Sequence, residues 1–121
     1  KLDTIFSQYT RLKYADDEYV QCVTCNKTKH WKQGMHAGHF VPRQHKATRW
    51  DERNVHPQCA YCNTYGNGQP AEYAIFLMNK YGENIIQDLQ RAKHITTKVE
   101  IAWLEEKILY YKEKVKEFGM T

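Results

Sequence analysis

No run of apolar residues in this chain approaches the roughly 18 needed to cross a bilayer, and no stretch resembles a secretory signal. The expectation is a soluble, intracellular protein with no membrane partner. The chain opens on Lys1 rather than Met, which is compatible with a trimmed chain or a fragment. Internal repeats and low-complexity linkers are also missing, so residues 1–121 read as one domain. That length is enough for a modest core and short enough to gain from a staple. Cysteine is absent except in two matched pairs.

Acidic residues are nearly absent from one segment. Between Lys27 and Arg53 stand seven cations, namely Lys27, Lys29, Lys32, Arg43, Lys46, Arg49 and Arg53, against only Asp51 and Glu52. Five of the six histidines also fall between residues 30 and 56. A solvated surface usually mixes its signs, so a segment this one-sided points to a polyanionic partner.

The cysteine pairs are Cys22-Val23-Thr24-Cys25 and Cys59-Ala60-Tyr61-Cys62. A C-x-x-C turn brings two thiolates to one side, and two such turns supply the four soft ligands of a tetrahedral zinc site. Two disulfides would need an oxidising compartment, for which the sequence gives no sign, and adjacent-pair C-x-x-C disulfides are usually redox-active. Structural zinc on Cys22, Cys25, Cys59 and Cys62 is the expectation. The 33 residues between the pairs exceed the ~15–20 of a plain zinc ribbon, so something is held between the halves of the staple.

Apolar positions at Leu2, Ile5, Phe6, Tyr9 and Leu12 give helical spacing over residues 2 to 15. A short knuckle follows from Cys22 to Trp31. Met35 to Val41 reads as a strand ended by Pro42, and Asn54 to Gln58 as a second. The polar, basic residues 43 to 53 between them read as a loop, a candidate mobile DNA contact. A helical turn starts near Ala60 and is broken by Gly66-Asn67-Gly68. Pro70 then opens a helix to Tyr81, with Gly82 as its stop, and a shorter helix covers residues 84 to 92. Thr96 or Thr97 caps a last helix carrying Ile101, Leu104, Ile108, Tyr111, Val115 and Phe118, with Gly119 as its end. That 3,4,3,4,3 stripe serves either packing on the first helix, which is favoured, or a homodimer seam. The class is α+β: a zinc-bound core over 20–68, a helix over 1–16 before it, and a helical part over 70–119.

His39 lies on the first strand in His36-Ala37-Gly38-His39-Phe40, Asn54 opens the second, and Asn63 follows the last cysteine. Strand, loop, strand and helix with His, Asn and Asn at these places resemble the ββα-metal (HNH) nuclease finger. The string C-V-T-C, H-A-G-H-F, T-R-W-D-E-R-N-V-H-P-Q-C-A-Y-C-N, G-N-G-Q and Y-A-I-F-L-M-N-K-Y-G resembles the NinG (Rap) recombination nucleases of lambdoid bacteriophages. It runs from the first helix nearly to the end of the chain.

The resemblance implies a metal-dependent DNA endonuclease acting in the cytoplasm of the bacterial host, on branched or nicked duplex DNA such as Holliday junctions, D-loops or flaps. The products would carry 5′-phosphate and 3′-hydroxyl ends. His39, an imidazole with near-neutral pKa, is the candidate general base. Asn54 would orient that histidine or its loop. Asn63 stands where the family has a ligand to the catalytic Mg²⁺ or Mn²⁺. Many HNH sites carry an Asp directly before the catalytic His, but here that residue is Gly38. The family pattern points instead to His36, which can share a site with His39 only if Gly38 hosts a bulge or sharp bend.

His56 shares a face with Asn54 and either contacts metal or phosphate or fills space beside the knuckle. Arg43, Lys46, Arg49 and Arg53 are the candidate phosphate contacts, Arg49 foremost. Asp51 and Glu52 are expected to pair with these arginines. His30 and His45 are expected to be exposed or to contact phosphate, His94 to lie on the surface, and Tyr61 and Tyr65 to pack rather than stack on bases. Readings of other classes are a zinc-ribbon DNA-binding module without catalysis, an HNH nicking or homing endonuclease, and a protein-interaction domain using the last helix.

Overall fold

The computed structural model describes residues 1–119 as a mixed α and β chain with two small sheets. Helix α1 (Leu2–Lys13) buries Leu2, Phe6, Tyr9 and Leu12, the three-and-four stripe read from the sequence. The knuckle is bounded by two strands that the sequence reading omitted, β1 (Tyr19–Gln21) and β2 (Thr28–His30). They pair antiparallel from Tyr19↔His30 to Gln21↔Thr28. Three-residue strands are too short to show a period.

Strands β3 (Met35–His39) and β4 (Val55–Cys59) make the second hairpin, in unbroken antiparallel register from Met35↔Cys59 to His39↔Val55. The bulge at Gly38 that would let His36 and His39 share one metal site is therefore absent. Gly38 is required for space instead, because a Cβ there would overlap Gln58 Oε1. Residues 43 to 53 are not all loop: α2 (Lys46–Arg49) occupies one turn, with the Thr48 hydroxyl donating to His45 O at 3.2 Å. One helical turn is too brief to leave a hydrophobic period.

The β3–β4 ribbon is covered on both faces. Met35, Val55 and Cys59 join a core built with α1 and with Tyr111 and Val115 of α5 (Ile101–Glu117). Facing the other side is α3 (Pro70–Tyr81), which with Val41 and α4 (Ile85–Ala92) forms a second cluster around Tyr73, Leu77, Ile85 and Leu89. All five residues of β4 are buried as a result. Pro70 opens α3, and Gly82 ends it at φ +102, a value glycine adopts without steric cost.

Helix α5 begins at Ile101 after Glu100, so neither Thr96 nor Thr97 caps it; the Thr97 hydroxyl donates to Ile95 O at 3.4 Å instead. Gly119 at φ +75 follows the last turn, as expected. Leu104, Ile108, Tyr111 and Val115 face the α1 side, so most of the stripe is used within the chain. Ile101, Leu109 and Tyr110 remain exposed. No helix among the described residues is long and apolar enough to cross a membrane.

His56 is fully buried, which removes it from any contact with metal or phosphate at the surface. Its ring lies between two tyrosines. The Tyr73 hydroxyl donates to Gly38 O at 2.6 Å, so its oxygen is left to accept from His56 Nδ1–H at 3.3 Å. His56 Nε2 then accepts from the Tyr81 hydroxyl at 2.8 Å, an assignment that follows from the network. Burial, with Lys80 and Lys13 nearby, pushes the His56 pKa from its ordinary 6.5 down to about 3. The unfolded chain takes up this proton near pH 6.5 and the folded chain only near 3. Its contribution to stability is thus complete above pH 6.5 and lost progressively as pH falls toward 3. The unfolding free energy from urea titrations should fall across that window by up to ~1.4 kcal/mol per pH unit for this proton, with a shallower fall in His56→Gln. Equal slopes in the two proteins would place the titration elsewhere.

Candidate metal centre and active site

Cys22 directly follows β1, Cys25 lies in the turn before β2, and Cys59 ends β4. Cys62 sits in a π-helical turn (Tyr61–Tyr65) that the sequence reading placed as a helical turn. All four thiols are free, and their sulfurs lie within 4.8 Å of one another, with Cys25 and Cys59 at 3.7 Å. Four sulfurs bonded to zinc at ~2.3 Å stand about 3.8 Å apart, so the cluster fits a tetrahedral zinc ion. The thiols are unequal. Burial works against the Cys22 thiolate, but the Thr24 hydroxyl and backbone N–H groups bring its pKa down to about 6. Burial pushes Cys62 up to about 12. A dication is the charge that would let all four ionise together.

Beside the cluster, Gln58 Nε2 donates to Gly68 O at 2.9 Å and to Thr24 Oγ1 at 3.2 Å, bracing the two cysteine turns against each other. Nothing in its sequence context singled Gln58 out. Asn63, next to Cys62, donates from its amide to His36 Nδ1 at 3.0 Å. A rotated Asn63 amide would turn its oxygen to the same point, so one imidazole nitrogen and one amide oxygen can converge on a cation there. The cavity around them measures about 470 Å³, and its wall includes Arg11, Lys32 and Arg43. Lys32 belongs to the basic segment read from the sequence, whereas Arg11 has no signal there; Arg11 donates to Trp31 O at 2.8 Å and stacks over the Trp31 ring.

His39 projects from the face of β3 opposite to His36, since the register is unbroken. It is half-buried, and its Nε2–H donates to Arg49 O at 2.8 Å, which leaves Nδ1 as the unprotonated nitrogen. Burial lowers its pKa below the ordinary histidine value, with the Arg49 carbonyl opposing and Arg43 assisting the shift. Arg43 thus lies near His39 while also lining the His36–Asn63 cavity.

Asn54 is fully buried and holds the connecting loop from below. Its Oδ1 accepts from Val41 N at 2.8 Å, and its Nδ2 donates to Val41 O at 3.0 Å and Thr48 O at 3.1 Å. Asp3 holds the same loop from α1. It accepts from Arg49 through two nitrogens, from the Trp50 indole at 3.0 Å and from Arg43 at 3.3 Å. Burial opposes ionisation of Asp3, but these donors keep its pKa below the ordinary carboxylate value. These pairs span 40 to 47 positions, and no local pattern signals them.

Among the expected phosphate contacts, Lys46 and Arg43 are exposed. Arg49 is committed to Asp3, and Arg53 donates to Asp51 at 2.8 Å. Asp51 therefore pairs with an arginine as expected. Glu52 does not: it accepts from Tyr9 at 2.9 Å, Lys13 at 3.0 Å and Tyr111 at 3.1 Å, joining α1 to α5. His30 and His45 are half-buried, His94 is exposed, and Tyr61 and Tyr65 are exposed. Zinc quantitation should find one ion per chain, lost on Cys59→Ser; an unchanged content in that variant would contradict a four-cysteine site.

Comparison with known families matches residues 1–120 to the family described as Bacteriophage Lambda NinG protein. Protein ninG of Escherichia phage 933W is 28% identical over 76 residues, covering 61% of this chain and 36% of the relative. Protein ninG of Enterobacteria phage H19B is 33% identical over 55 residues, covering 45% and 27%, and that of Escherichia phage lambda is 25% identical over 76 residues, covering 61% and 36%. These matches span about a third of the relatives' own lengths. No solved structure matches the chain. Because the family match includes both cysteine pairs and the segments carrying His36, His39, Asn54 and Asn63, the chain belongs to the NinG family of bacteriophage proteins.

Proposed function

We propose that this chain is an HNH-type, metal-dependent DNA endonuclease acting on branched or nicked duplex DNA, with His39 as general base. The observation that carries this reading is the state of His39: a half-buried, neutral imidazole, fixed through Nε2–H by the Arg49 carbonyl so that Nδ1 can accept a proton. In the reaction, a water oxygen bonds to phosphorus as the bond from phosphorus to the 3′ oxygen breaks. The water's proton passes to His39 Nδ1, the departing 3′ oxygen takes a proton from solvent to become the hydroxyl, and the phosphate stays on the 5′ side. Asn54 and Asp3 act as positioning residues, because together they fix the loop that presents the Arg49 carbonyl. A divalent ion such as Mg²⁺ or Mn²⁺ would supply positive charge for the negative charge developing on the leaving oxygen. His36 and Asn63 could hold such an ion only on the face of β3 opposite to His39, so an ion beside His39 would need DNA oxygens as ligands.

Arg11, Lys32 and Arg43 favour phosphate in the His36–Asn63 cavity and disfavour a lone divalent ion. Two protein ligands in a basic cavity make a weak cation site until DNA adds its own oxygens. Cation affinity is therefore expected to rise with DNA bound.

A second reading, a zinc-bound DNA-binding module without catalysis, is favoured by one observation: His36 and His39 lie on opposite faces of β3. The two readings separate at His39. Supercoiled plasmid and four-way-junction DNA with Mg²⁺ or Mn²⁺ should be cut by the wild type and at least ~10²-fold more slowly by His39→Ala. Zinc-loaded protein that binds but cuts no DNA form with either ion would favour the module.

A further inference from the structure

Between α2 and the start of α5 is a cavity of about 460 Å³, lined by Lys46, Ala47, Trp50, Lys98, Glu100 and Trp103, that the proposed chemistry does not use. Its floor is aromatic. Trp50 and Trp103 stand with ring centroids 5.6 Å apart and planes inclined at 52°, forming an angular corner. Trp103 is 39% exposed. Trp50 is fixed from behind, its indole N–H donating to Asp3 and the Arg49 guanidinium lying 5.0 Å over its ring. Lys46 and Lys98 border the same cavity, both exposed and neither paired with a carboxylate among the described residues. Of the two acids in the wall, Asp51 is neutralised by Arg53 at 2.8 Å. That leaves Glu100.

We infer that this cavity is a subsite for an unpaired DNA nucleotide, its base stacked on Trp103 and Trp50 and its phosphates met by Lys46 and Lys98. Stacking on tryptophan is available to any base, because each has a π face, and adjacent lysines track the backbone. A cavity of this volume is in the range that encloses small ligands, roughly 300–1,000 Å³. A paired base cannot enter it while stacked inside a duplex. Glu100 is suited to accept from an exocyclic amino group. The position is informative as well: Lys46, Ala47 and Trp50 line the cavity, while the carbonyl of Arg49, between them, holds His39. A nucleotide captured here would contact the same short segment, Lys46 to Trp50, whose Arg49 carbonyl holds the proposed general base, so a strand end, flap or junction arm would be placed relative to the cut.

This inference deepens the nuclease reading and rests on it for its role in cutting, but the binding itself can be measured without catalysis. The probes are (dT)8 and a blunt duplex of 20 base pairs, titrated against zinc-loaded protein with no added divalent ion. The wild type should bind (dT)8 with quenching of tryptophan fluorescence. Trp103→Ala should bind it about tenfold more weakly, Lys98→Glu should show a similar loss, and Trp103→Phe should keep most of the affinity. Duplex affinity should change less than twofold in Trp103→Ala. Thermal melts check folding, and if Trp103→Ala melts early, Trp103→Phe and Lys98→Glu carry the test.

Unchanged (dT)8 binding in Lys98→Glu and Trp103→Ala, or an equal loss for duplex and (dT)8, overturns the subsite. Plasmid nicking by the same proteins separates the two readings. If the wild type cuts no DNA yet binds (dT)8 through Trp103, the subsite stands and the nuclease reading fails. If Trp103→Ala nicks plasmid normally while (dT)8 binding by the wild type is undetectable, the nuclease reading stands and the subsite fails.

Discussion

Four sulfurs within 4.8 Å of one another, drawn from two turns 33 residues apart, are the constraint on which the remaining geometry depends. Without a cation, three buried thiols and the exposed Cys25 offer little cohesion of their own. With zinc, the end of β1, the end of β4 and the π turn become one rigid unit. Asn63 is the residue after Cys62, so its meeting with His36 is set by the staple through the backbone. Gln58 adds hydrogen bonds across the same junction. A zinc ion held by these cysteines would thus belong to the architecture of the site and take no part in the proposed chemistry.

A second organising feature is the loop between β3 and β4, clamped from two sides. Asn54 holds it at the Thr48 carbonyl and Asp3 at the Arg49 side chain, beside the Arg49 carbonyl that accepts from His39. Charge is partitioned around this clamp. The arginines nearest Asp3 and Asp51 are occupied, whereas Lys32, Lys46 and Lys98 stand exposed at the two cavities on either side.

The sequence disclosed what depends on neighbours along the chain. The cysteine spacing, the Pro70 start and Gly82 stop of α3, the stripes of α1 and α5, and the bracketing of Asn63 by Cys62 are local patterns, and each is found in the fold. What stayed hidden depends on contacts between distant segments. His56 and Gln58 alternate with apolar neighbours and so read as a polar face, yet α3 covers that face. Asp3, the hub of the loop clamp, sits in the first turn of a helix where an acidic residue is unremarkable. Gly38 was read as a place for a bulge because glycine permits one. It is glycine because Gln58 fills the space where a side chain would go. The corner of Trp50 and Trp103 joins residues 53 positions apart, and no spacing rule could find it.

If the staple positions the site, removing zinc should abolish cutting although Mg²⁺ is present. The direct measurement is the rate of junction or plasmid cleavage by zinc-depleted protein in Mg²⁺ as zinc is added back. The account predicts negligible cleavage at the start, recovery complete at one equivalent of zinc per chain, and none with zinc alone in His39→Ala. Full-rate cleavage by zinc-free protein in Mg²⁺ would contradict it.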